Sequence, residues 1–459
     1  MRTPILFLLS ALAPIAMAAS HTEKIPLKKV YQYRLYLTDK AHNSYSLRRP
    51  QEFLSQKSID RRKRQGLRVD STDLPVSPAY LSRLQSLGLK IMGTSRWHNT
   101  VWVESTTDDV ANRVGQMPFV RRALRLYVSP DSIDVPTRYT VAKIRPDSAC
   151  TGYYGRGQSQ IDILGGRRLH DGGFRGKGMT IAILDAGFQN ADAMPAFSNI
   201  NIVATKDCAP HRTNDIYAEH YHGTMVLSTM AMNKPGIMVG TAPEASYILI
   251  RTEDIPTETR AEEDAWTMGV EYADSIGADI INSSLGYSHW DGDSIGQQLR
   301  DLDGHTTFIS STASMIAGKG MVLCSSAGNE GASTWHKISI PADADDILTV
   351  GSVKRDSTIS VFSSLGPSQD QRVKPDVCAL GGPATVVDGY GELTDNFGTS
   401  FASPIMCGMV ACLWQANPSL TACQVIELVR SLGDRFQYPD NVYGYGIPNF
   451  SKAPVETRR

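Results

Sequence analysis

After about residue 158, short runs of apolar residues alternate with longer amphipathic stretches. Such runs predict strands that are buried on both faces of a sheet, and the stretches between them predict helices. Strands that alternate with helices indicate a parallel sheet covered by helices on both faces, so we expect an α/β domain. The predicted strands are 179–184, 246–250, 279–284, 321–326 and 348–353, and the predicted helices are 222–232, 258–276, 306–317, 397–416 and 421–429.

The first part of the chain has a different pattern, in which short alternating strands lie between helices. This order predicts a small α+β, ferredoxin-like domain, with an antiparallel sheet and helices on one of its faces. Its predicted strands are 31–38, 89–93, 100–104 and 120–128, and its predicted helices are 50–66, 78–87 and 107–117. The next stretch holds Pro, Asp, Ser and Gly in no clear period, which is typical of a linker. We therefore expect the small domain at 27–128, the linker at 129–152 and the α/β domain at 153–453.

The first residues have the three-part pattern of a secretory signal peptide. Arg2 precedes an apolar stretch that ends in Ala16, Met17 and Ala18, a small-x-small cleavage pattern. The stretch is short for a membrane span, so cleavage fits it better than anchoring. We expect residues 1–18 to be removed as a signal peptide, and the mature protein to be secreted to the periplasm or the medium without a membrane anchor.

Charge and cysteine content argue against several classes of partner. The chain has 459 residues and a formal net charge of −1, so we expect no binding of nucleic acid or of an acidic membrane through bulk charge. Its seven cysteines show no C-x-x-C spacing, which argues against a zinc ribbon. The sequence leaves undecided whether Cys150 and Cys208 form a disulfide. The basic run at 61–64 lies within a predicted helix, and we interpret it as a solvated helix face rather than a processing site.

Three polar side chains stand at the ends of predicted elements. Asp185 follows a buried strand, His222 starts a helix, and Ser400 starts a long apolar helix. In a parallel α/β sheet, the carboxyl ends of the strands and the helix starts that follow them converge on one edge. A serine hydroxyl becomes a nucleophile when a histidine takes its proton and a carboxylate orients that histidine. The pattern therefore predicts a nucleophilic triad of Asp185, His222 and Ser400.

In this order the three residues resemble the subtilisin-like serine peptidases. The resemblance extends from about Tyr153 to Asn449 and includes several further motifs. It implies a subtilisin-like parallel sheet and hydrolysis of peptide bonds in proteins or peptides through an acyl-enzyme. The further motifs are IINSSLG at 280–286, SSAGNEG at 325–331, PAD at 341–343, FSSLGP at 362–367 and KPDV at 374–377.

The resemblance also assigns the groups around the nucleophile. It implies that Asn329 donates its side-chain amide to the oxyanion, together with the backbone N–H of Ser400. It further implies that two segments line the substrate pocket and pair with an extended substrate strand. These segments are Ser284, Leu285 and Gly286, and Ser326, Ala327 and Gly328.

The sequence departs from the family pattern at several places without losing a catalytic atom. Ala186 replaces a hydroxyl residue beside the aspartate, and Met225 stands where relatives often have a second histidine. Leu227 and Ser228 stand where Ala and Gly are frequent. Phe401 follows the nucleophile where Met is frequent, so we expect activity to resist peroxide better than that of a Phe401→Met variant.

The N-terminal domain is similar in size, position and element order to the propeptides of these peptidases. The resemblance implies an intramolecular inhibitor and folding chaperone that the enzyme removes from itself; an accessory binding domain that stays attached is the alternative. For the whole chain, the alternative to an enzyme is a peptide-binding protein of the same fold without turnover. A lipase or esterase of the α/β-hydrolase type is excluded, because its histidine would have to follow Ser400 and none does.

We expect no cofactor and no catalytic metal, since the chain lacks an H-E-x-x-H motif. One acidic stretch offers the oxygen ligands that a structural calcium ion prefers. A solvated acidic loop is the interpretation that we favour for it. Its carboxylates are those of Asp291, Asp293, Asp301 and Asp303.

Overall fold

The structure of the protein is a computed structural model that describes residues 24–134, 137–143, 152–213, 215–292 and 298–456. The predicted signal peptide, Cys150 and Asp293 lie outside these ranges. The described residues form a smaller N-terminal unit and a larger unit that pack against each other.

The N-terminal unit is built from short strands and helices. Its strands are β1 (Lys24–Pro26), β2 (Tyr31–Leu37), β3 (Lys90–Ser95), β4 (Thr100–Ser105), β5 (Val120–Val128) and β6 (Ser132–Asp134), and its helices are α1 (Gln56–Arg64), α2 (Pro78–Gln85) and α3 (Val110–Val114). Four strands form an antiparallel sheet in the order β3-β4-β2-β5, and β1 pairs with β6. This order is the ferredoxin-like arrangement that the sequence predicts.

The larger unit is an α/β structure. Its strands are β7 (Thr180–Asp185), β8 (Asn201–Asp207), β9 (Asn233–Lys234), β10 (Met238–Val239), β11 (Ser246–Arg251), β12 (Ile280–Ser283), β13 (Val322–Ser326), β14 (Leu348–Val353), β15 (Val377–Leu380), β16 (Ala384–Val387) and β17 (Leu393–Asn396), and its helices are α4 (Gln158–Asp162), α5 (Arg167–Asp171), α6 (His222–Ala231), α7 (Ala261–Ile276), α8 (Phe308–Met315), α9 (Thr399–Ala416) and α10 (Ala422–Ser431). Seven strands form one parallel sheet in the order β15-β14-β13-β12-β7-β11-β8. The predicted parallel sheet is therefore confirmed.

Helices cover both faces of this sheet. On one face α6, α9 and α10 enclose a core with side chains such as Ile183 and Val350. On the other face α7 and α8 pack with Leu184 and Ile250, and Trp266 of α7 is fully buried there. Because β7 is covered from both sides, each of its residues is buried, which explains its uninterrupted apolar run up to Asp185.

The basic run at 61–64 is not a solvated helix face, so that expectation is wrong for half of it. Arg61 and Arg62 are each 1% exposed, whereas Lys63 and Arg64 are exposed. Both buried guanidinium groups form ion pairs with Asp274 of α7 in the larger unit. A charged helix face is buried here because its counter-ion comes from another part of the fold, and a sequence pattern cannot show that counter-ion.

The cysteines of the described residues are free thiols and, apart from Cys423, they are buried. Burial raises the pKa of the Cys208 thiol to about 12, so that thiol stays protonated. Among the helices that the structure describes, none is both long and apolar enough to cross a membrane.

Candidate active site

Three elements place the predicted triad at the carboxyl edge of the parallel sheet. Asp185 is the last residue of β7, His222 is the first residue of α6, and Ser400 lies in the first turn of α9. The helices α6 and α9 pack side by side on the same face of the sheet. His222 and the residue after Ser400, Phe401, have ring centroids 6.0 Å apart.

Asp185 and His222 form a buried hydrogen-bonded pair. The Nδ1 atom of His222 lies 2.8 Å from Oδ1 of Asp185, and the same oxygen accepts the N–H of Ala186 at 2.8 Å. Asp185 is fully buried, while the side chain of His222 is 22% exposed. A carboxylate at Nδ1 fixes the tautomer in which Nε2 carries the lone pair, and it also holds the plane of the ring.

Two glycines allow the turn after β7 to approach the start of α6. A Cβ on Gly187 would lie 2.4 Å from the backbone nitrogen of His220, and a Cβ on Gly223 would lie 2.3 Å from the carbonyl oxygen of Gly187. Both distances are too short for any side chain. The glycines beside Asp185 and His222 therefore bring the two side chains within hydrogen-bond reach.

The local charges favour protonation of His222 but not of its neighbour. Burial alone would lower the pKa of His222, but the charge of Asp185 and its hydrogen bond outweigh burial, so the pKa lies above its ordinary value. Burial lowers the pKa of His220 to about 4. His220 is then neutral, and its Nδ1 accepts the N–H of His222 at 3.3 Å.

The hydroxyl of Ser400 points to a backbone acceptor in the resting structure. It donates to the carbonyl of Ser284 at 3.3 Å, and the hydroxyl of Ser284 in turn donates to the carbonyl of Ser400 at 2.8 Å. Between the described atoms of Ser400 and His222 no hydrogen bond is formed. Catalytic hydrogen bonds are often long before substrate binds, and rotation of one side-chain torsion re-aims a serine hydroxyl.

Hydrogen bonds to the start of α9 fix the orientation of the Asn329 side-chain amide. Its Oδ1 accepts both the N–H and the hydroxyl of Thr399, each at 2.9 Å. A backbone N–H can only donate, so the oxygen of the amide must face Thr399 and the amino group must face away. The amino group of Asn329 and the backbone N–H of Ser400, which has no intrahelical acceptor in the first turn, are the donors available here.

The two segments predicted to line the substrate pocket differ in how many of their backbone N–H and C=O groups already have hydrogen-bond partners. The N–H of Ala327 donates to Val350, and its carbonyl accepts the N–H of Ser339. The carbonyl of Gly328 accepts the N–H of Ser364. Backbone groups of the segment from Ser326 to Gly328 are therefore used in internal hydrogen bonds. Gly286 is exposed, so the segment that contains it is the edge left open to a substrate strand.

The sequence interpretation missed one positioning residue and named acidic residues that serve local turns. Thr399 anchors Asn329, and the only sequence signal for it is its position beside Ser400. Asp303 accepts the backbone N–H groups of His305 and Thr306, at 2.8 and 2.7 Å. Within the described ranges, no group of three His, Cys, Asp or Glu side chains is placed to hold a metal ion.

The comparisons with known proteins cover both units. The sequence profile of the Subtilase family matches residues 176–446, and that of the Peptidase S8 propeptide domain, Bacteroidota, matches residues 32–138. Subtilisin NAT of Bacillus subtilis subsp. natto is 28% identical over 295 residues, which cover 62% of this chain and 68% of that protein. A subtilisin of Bacillus pumilus is also 28% identical over 295 residues, covering 62% of this chain and 94% of its own.

Solved structures show the same fold. The crystal structure of MycP1 from the ESX-1 type VII secretion system aligns with a TM-score of 0.53 at 19% sequence identity. The alignment covers 70% of this chain and 92% of that one. At this level of identity the likeness concerns the fold alone.

Proposed function

The chain belongs to the subtilase family of serine peptidases, and from that membership we propose that it is an exported endopeptidase in which Ser400, His222 and Asp185 form the catalytic triad. The observation that carries the assignment of residues is the buried hydrogen bond of 2.8 Å between Asp185 Oδ1 and His222 Nδ1. This hydrogen bond leaves Nε2 of His222 free to act as a base towards α9, and in subtilases the nucleophilic serine lies on that side.

In the proposed reaction, Nε2 of His222 takes the proton of Ser400 while the Oγ atom attacks the carbonyl carbon of the scissile peptide bond. The carbonyl oxygen becomes an oxyanion, which accepts hydrogen bonds from the Asn329 amino group and the Ser400 N–H. The imidazolium then protonates the leaving amine, and the C–N bond breaks to give an acyl-enzyme. Water, deprotonated by His222, attacks the ester, and the acid product leaves as Ser400 regains its proton.

The N-terminal unit fits the role of a propeptide, in agreement with the propeptide profile that it matches. We propose that it inhibits the enzyme in the same chain, assists folding of the larger unit and is removed by Ser400. Its ion pairs with α7 support stable docking before removal. Export rests on the signal-like residues 1–18.

The experiment that tests the triad is covalent labelling. A fluorophosphonate phosphorylates an activated serine, and we expect mass spectrometry to place the label on Ser400. The His222→Ala variant should lose the label, whereas an exchange of the neutral neighbour, His220→Ala, should keep it. Labelling of a different serine in the parent, or equal labelling of Ser400 without His222, would refute the assignment.

A further inference from the structure

Three glutamates that lie close enough to influence one another's pKa stand beside the proposed triad. We name Glu253, Glu258, Glu262 and Tyr287 the acidic pocket. Its first member follows Thr252, whose N–H donates to the carbonyl of Asp185 at 3.0 Å. Tyr287 directly follows Gly286 on the open edge of the groove, and its ring stacks on Trp290 with centroids 4.7 Å apart. The acidic pocket therefore adjoins both the triad and the edge where a peptide would lie.

One buried polar atom of this pocket lacks a partner. Glu262 and Tyr287 are each 1% exposed. The hydroxyl of Tyr287 interacts with the carboxyl of Glu253, whereas Oε1 of Glu262 has no hydrogen-bond partner among the residues that the structure describes. Native proteins rarely leave a buried polar group unsatisfied. A ligand with polar hydrogens would satisfy this oxygen.

The three glutamates also lack ion pairs within the part of the chain that the structure describes. None of the three glutamates forms an ion pair with a described Lys, Arg or His side chain. Burial, and then the charge of Glu258, raise the pKa of Glu253 to about 8. Burial, and then the charge of Asp291, raise the pKa of Glu258 to about 7. A cation that enters the pocket would relieve this repulsion and form charge-assisted hydrogen bonds.

The described part of the N-terminal unit contributes a tyrosine to this region. Tyr127, near the end of β5, is buried in the same apolar cluster as Leu285, Tyr287 and Trp290. Burial, and then the charges of Asp254, Glu104 and Glu262, raise the pKa of Tyr127. Removal of the N-terminal unit would expose the carboxyl groups to a peptide, and within the described residues no side chain forms an ion pair with them.

Because no described trio of His, Cys, Asp or Glu side chains is placed to hold a metal ion, an organic cation is the better fit. We propose that the acidic pocket binds the ammonium or guanidinium group of a lysine or arginine side chain close to the scissile bond of the substrate. The proposal rests on the proposed endopeptidase function and adds a substrate class to it. Glu253 and Glu258 are half-buried whereas Glu262 is buried, so an entering side chain would meet the first two carboxyl groups before the third.

The test compares matched peptides on the self-processed enzyme. Quenched fluorescent peptides carry lysine, arginine or norleucine at one of the four positions on either side of a single cleavable bond. We expect kcat/KM to be at least about tenfold higher for lysine or arginine than for norleucine at one position, as a charge-assisted hydrogen bond implies. Glu258→Gln and Glu262→Gln should each reduce this ratio. The control Glu244→Gln, an exposed residue before β11, should retain the parental ratio and activity.

The outcomes separate this proposal from the endopeptidase assignment. A ratio near one at every position in the parent, or an unchanged ratio in both glutamine variants, overturns the acidic pocket while turnover persists. If no peptide is cleaved and Ser400 takes no fluorophosphonate, the endopeptidase assignment fails. Fluorescence anisotropy with the same peptides then tests the pocket: tighter binding of the lysine peptide that is lost in Glu262→Gln supports it, and equal binding of the lysine and norleucine peptides overturns it.

Discussion

A hydrogen bond decides which end of the Asn329 amide faces the groove. The N–H of Thr399 fixes Oδ1 of Asn329 at 2.9 Å and so orients the amino group towards the proposed oxyanion. Two roles are thereby combined in one side chain. Its oxygen anchors the start of α9, and its amino group has the proposed role of stabilising developing charge.

Two substitutions of Asn329 separate these roles. Asn329→Asp keeps an oxygen for Thr399 but removes the donor, whereas Asn329→Ala removes both. We expect each to lower kcat by about 10²–10³ with little change in KM, because an oxyanion donor acts in the transition state. The aspartate should perform no better than the alanine, since its negative charge opposes the oxyanion. Near-parental kcat for Asn329→Asp in steady-state assays would mean that anchoring is the whole role.

The raised pKa of His222 predicts the acid limb of the activity profile. Protonated His222 cannot take the proton of Ser400, so kcat/KM should rise with pH through the pKa of His222. The midpoint should lie above the ordinary histidine value of about 6.5, because Asp185 favours the charged form.

Removal of Asp185 tests this cause. In Asp185→Asn the charge that raises the pKa is gone, so the limb should move to lower pH, and kcat/KM at its maximum should fall by about 10³–10⁴. Asp356→Asn, in an exposed turn, is the matched control and should behave like the parent. If the midpoint of the acid side of the kcat/KM profile is unchanged in Asp185→Asn, that midpoint is the pKa of a group other than His222.

At the scale of elements, the sequence predicted the strands that are buried on both faces of the sheet. The run up to Asp185 and the run 348–353 were recognisable because helices cover both of their sides. The edge strand β8 was missed because its residues alternate in exposure and include Asn, Thr, Lys and Asp, which resemble a loop. The position of Asp185, His222 and Ser400 at one edge was predictable, since strand ends and helix starts share one edge of a parallel sheet.

Contacts between the two units were not predictable in the same way. The sequence pattern indicates a solvated helix face for Arg61 and Arg62, because it cannot show their partner Asp274, which lies more than two hundred residues later in the chain. The sequence does not indicate the acidic pocket for a related reason, because glutamate side chains normally face water. Burial by another element, rather than the local pattern, decides the role of such charged residues.

The contact between α1 and α7 makes a quantitative prediction about Asp274. Burial alone would raise the pKa of this carboxyl, but the charges of Arg61, Arg62 and Arg96 outweigh burial and hold it well below its usual range. Asp274→Asn removes the ion-pair partner of Arg61 and one of the two carboxylates that pair with Arg62 and with Arg96. In the Ser400→Ala background, which keeps the units joined, we expect the free energy of unfolding to fall by about 3 kcal/mol at pH 7.

The pH dependence of that loss follows from its sign. A carboxyl whose pKa is depressed in the fold stabilises it fully above its unfolded pKa, about 3.9 for Asp, and the stabilisation is lost as the pH falls towards the folded pKa. The difference between Ser400→Ala with and without Asp274→Asn should therefore shrink below about pH 4. Urea unfolding measures it, with the exposed Asp171→Asn as control. Equal stability of the two proteins at pH 7 would contradict the proposed ion-pair network.

At the scale of the whole molecule, the segment that follows the N-terminal unit is bound to the surface of the larger unit. Beyond β6, the guanidinium of Arg138 pairs with Asp192 and Asp215 of the larger unit at 2.9 and 2.8 Å. The carbonyls of Thr137 and Tyr139 accept the side-chain amides of Gln189 and Asn190. In the proposed zymogen, the enzyme becomes active when a peptide bond between the two units is cut.

The most direct test compares the full-length protein with its Ser400→Ala variant by intact mass and N-terminal sequencing. The account predicts that only the parent loses its N-terminal unit, with a new terminus between about Val128 and Tyr153, and that Ser400→Ala keeps the unit under the same conditions. Loss of the unit from both proteins would assign the cut to another protease. Retention by both, with no fluorophosphonate on Ser400, would contradict the account and favour a peptide-binding protein without turnover.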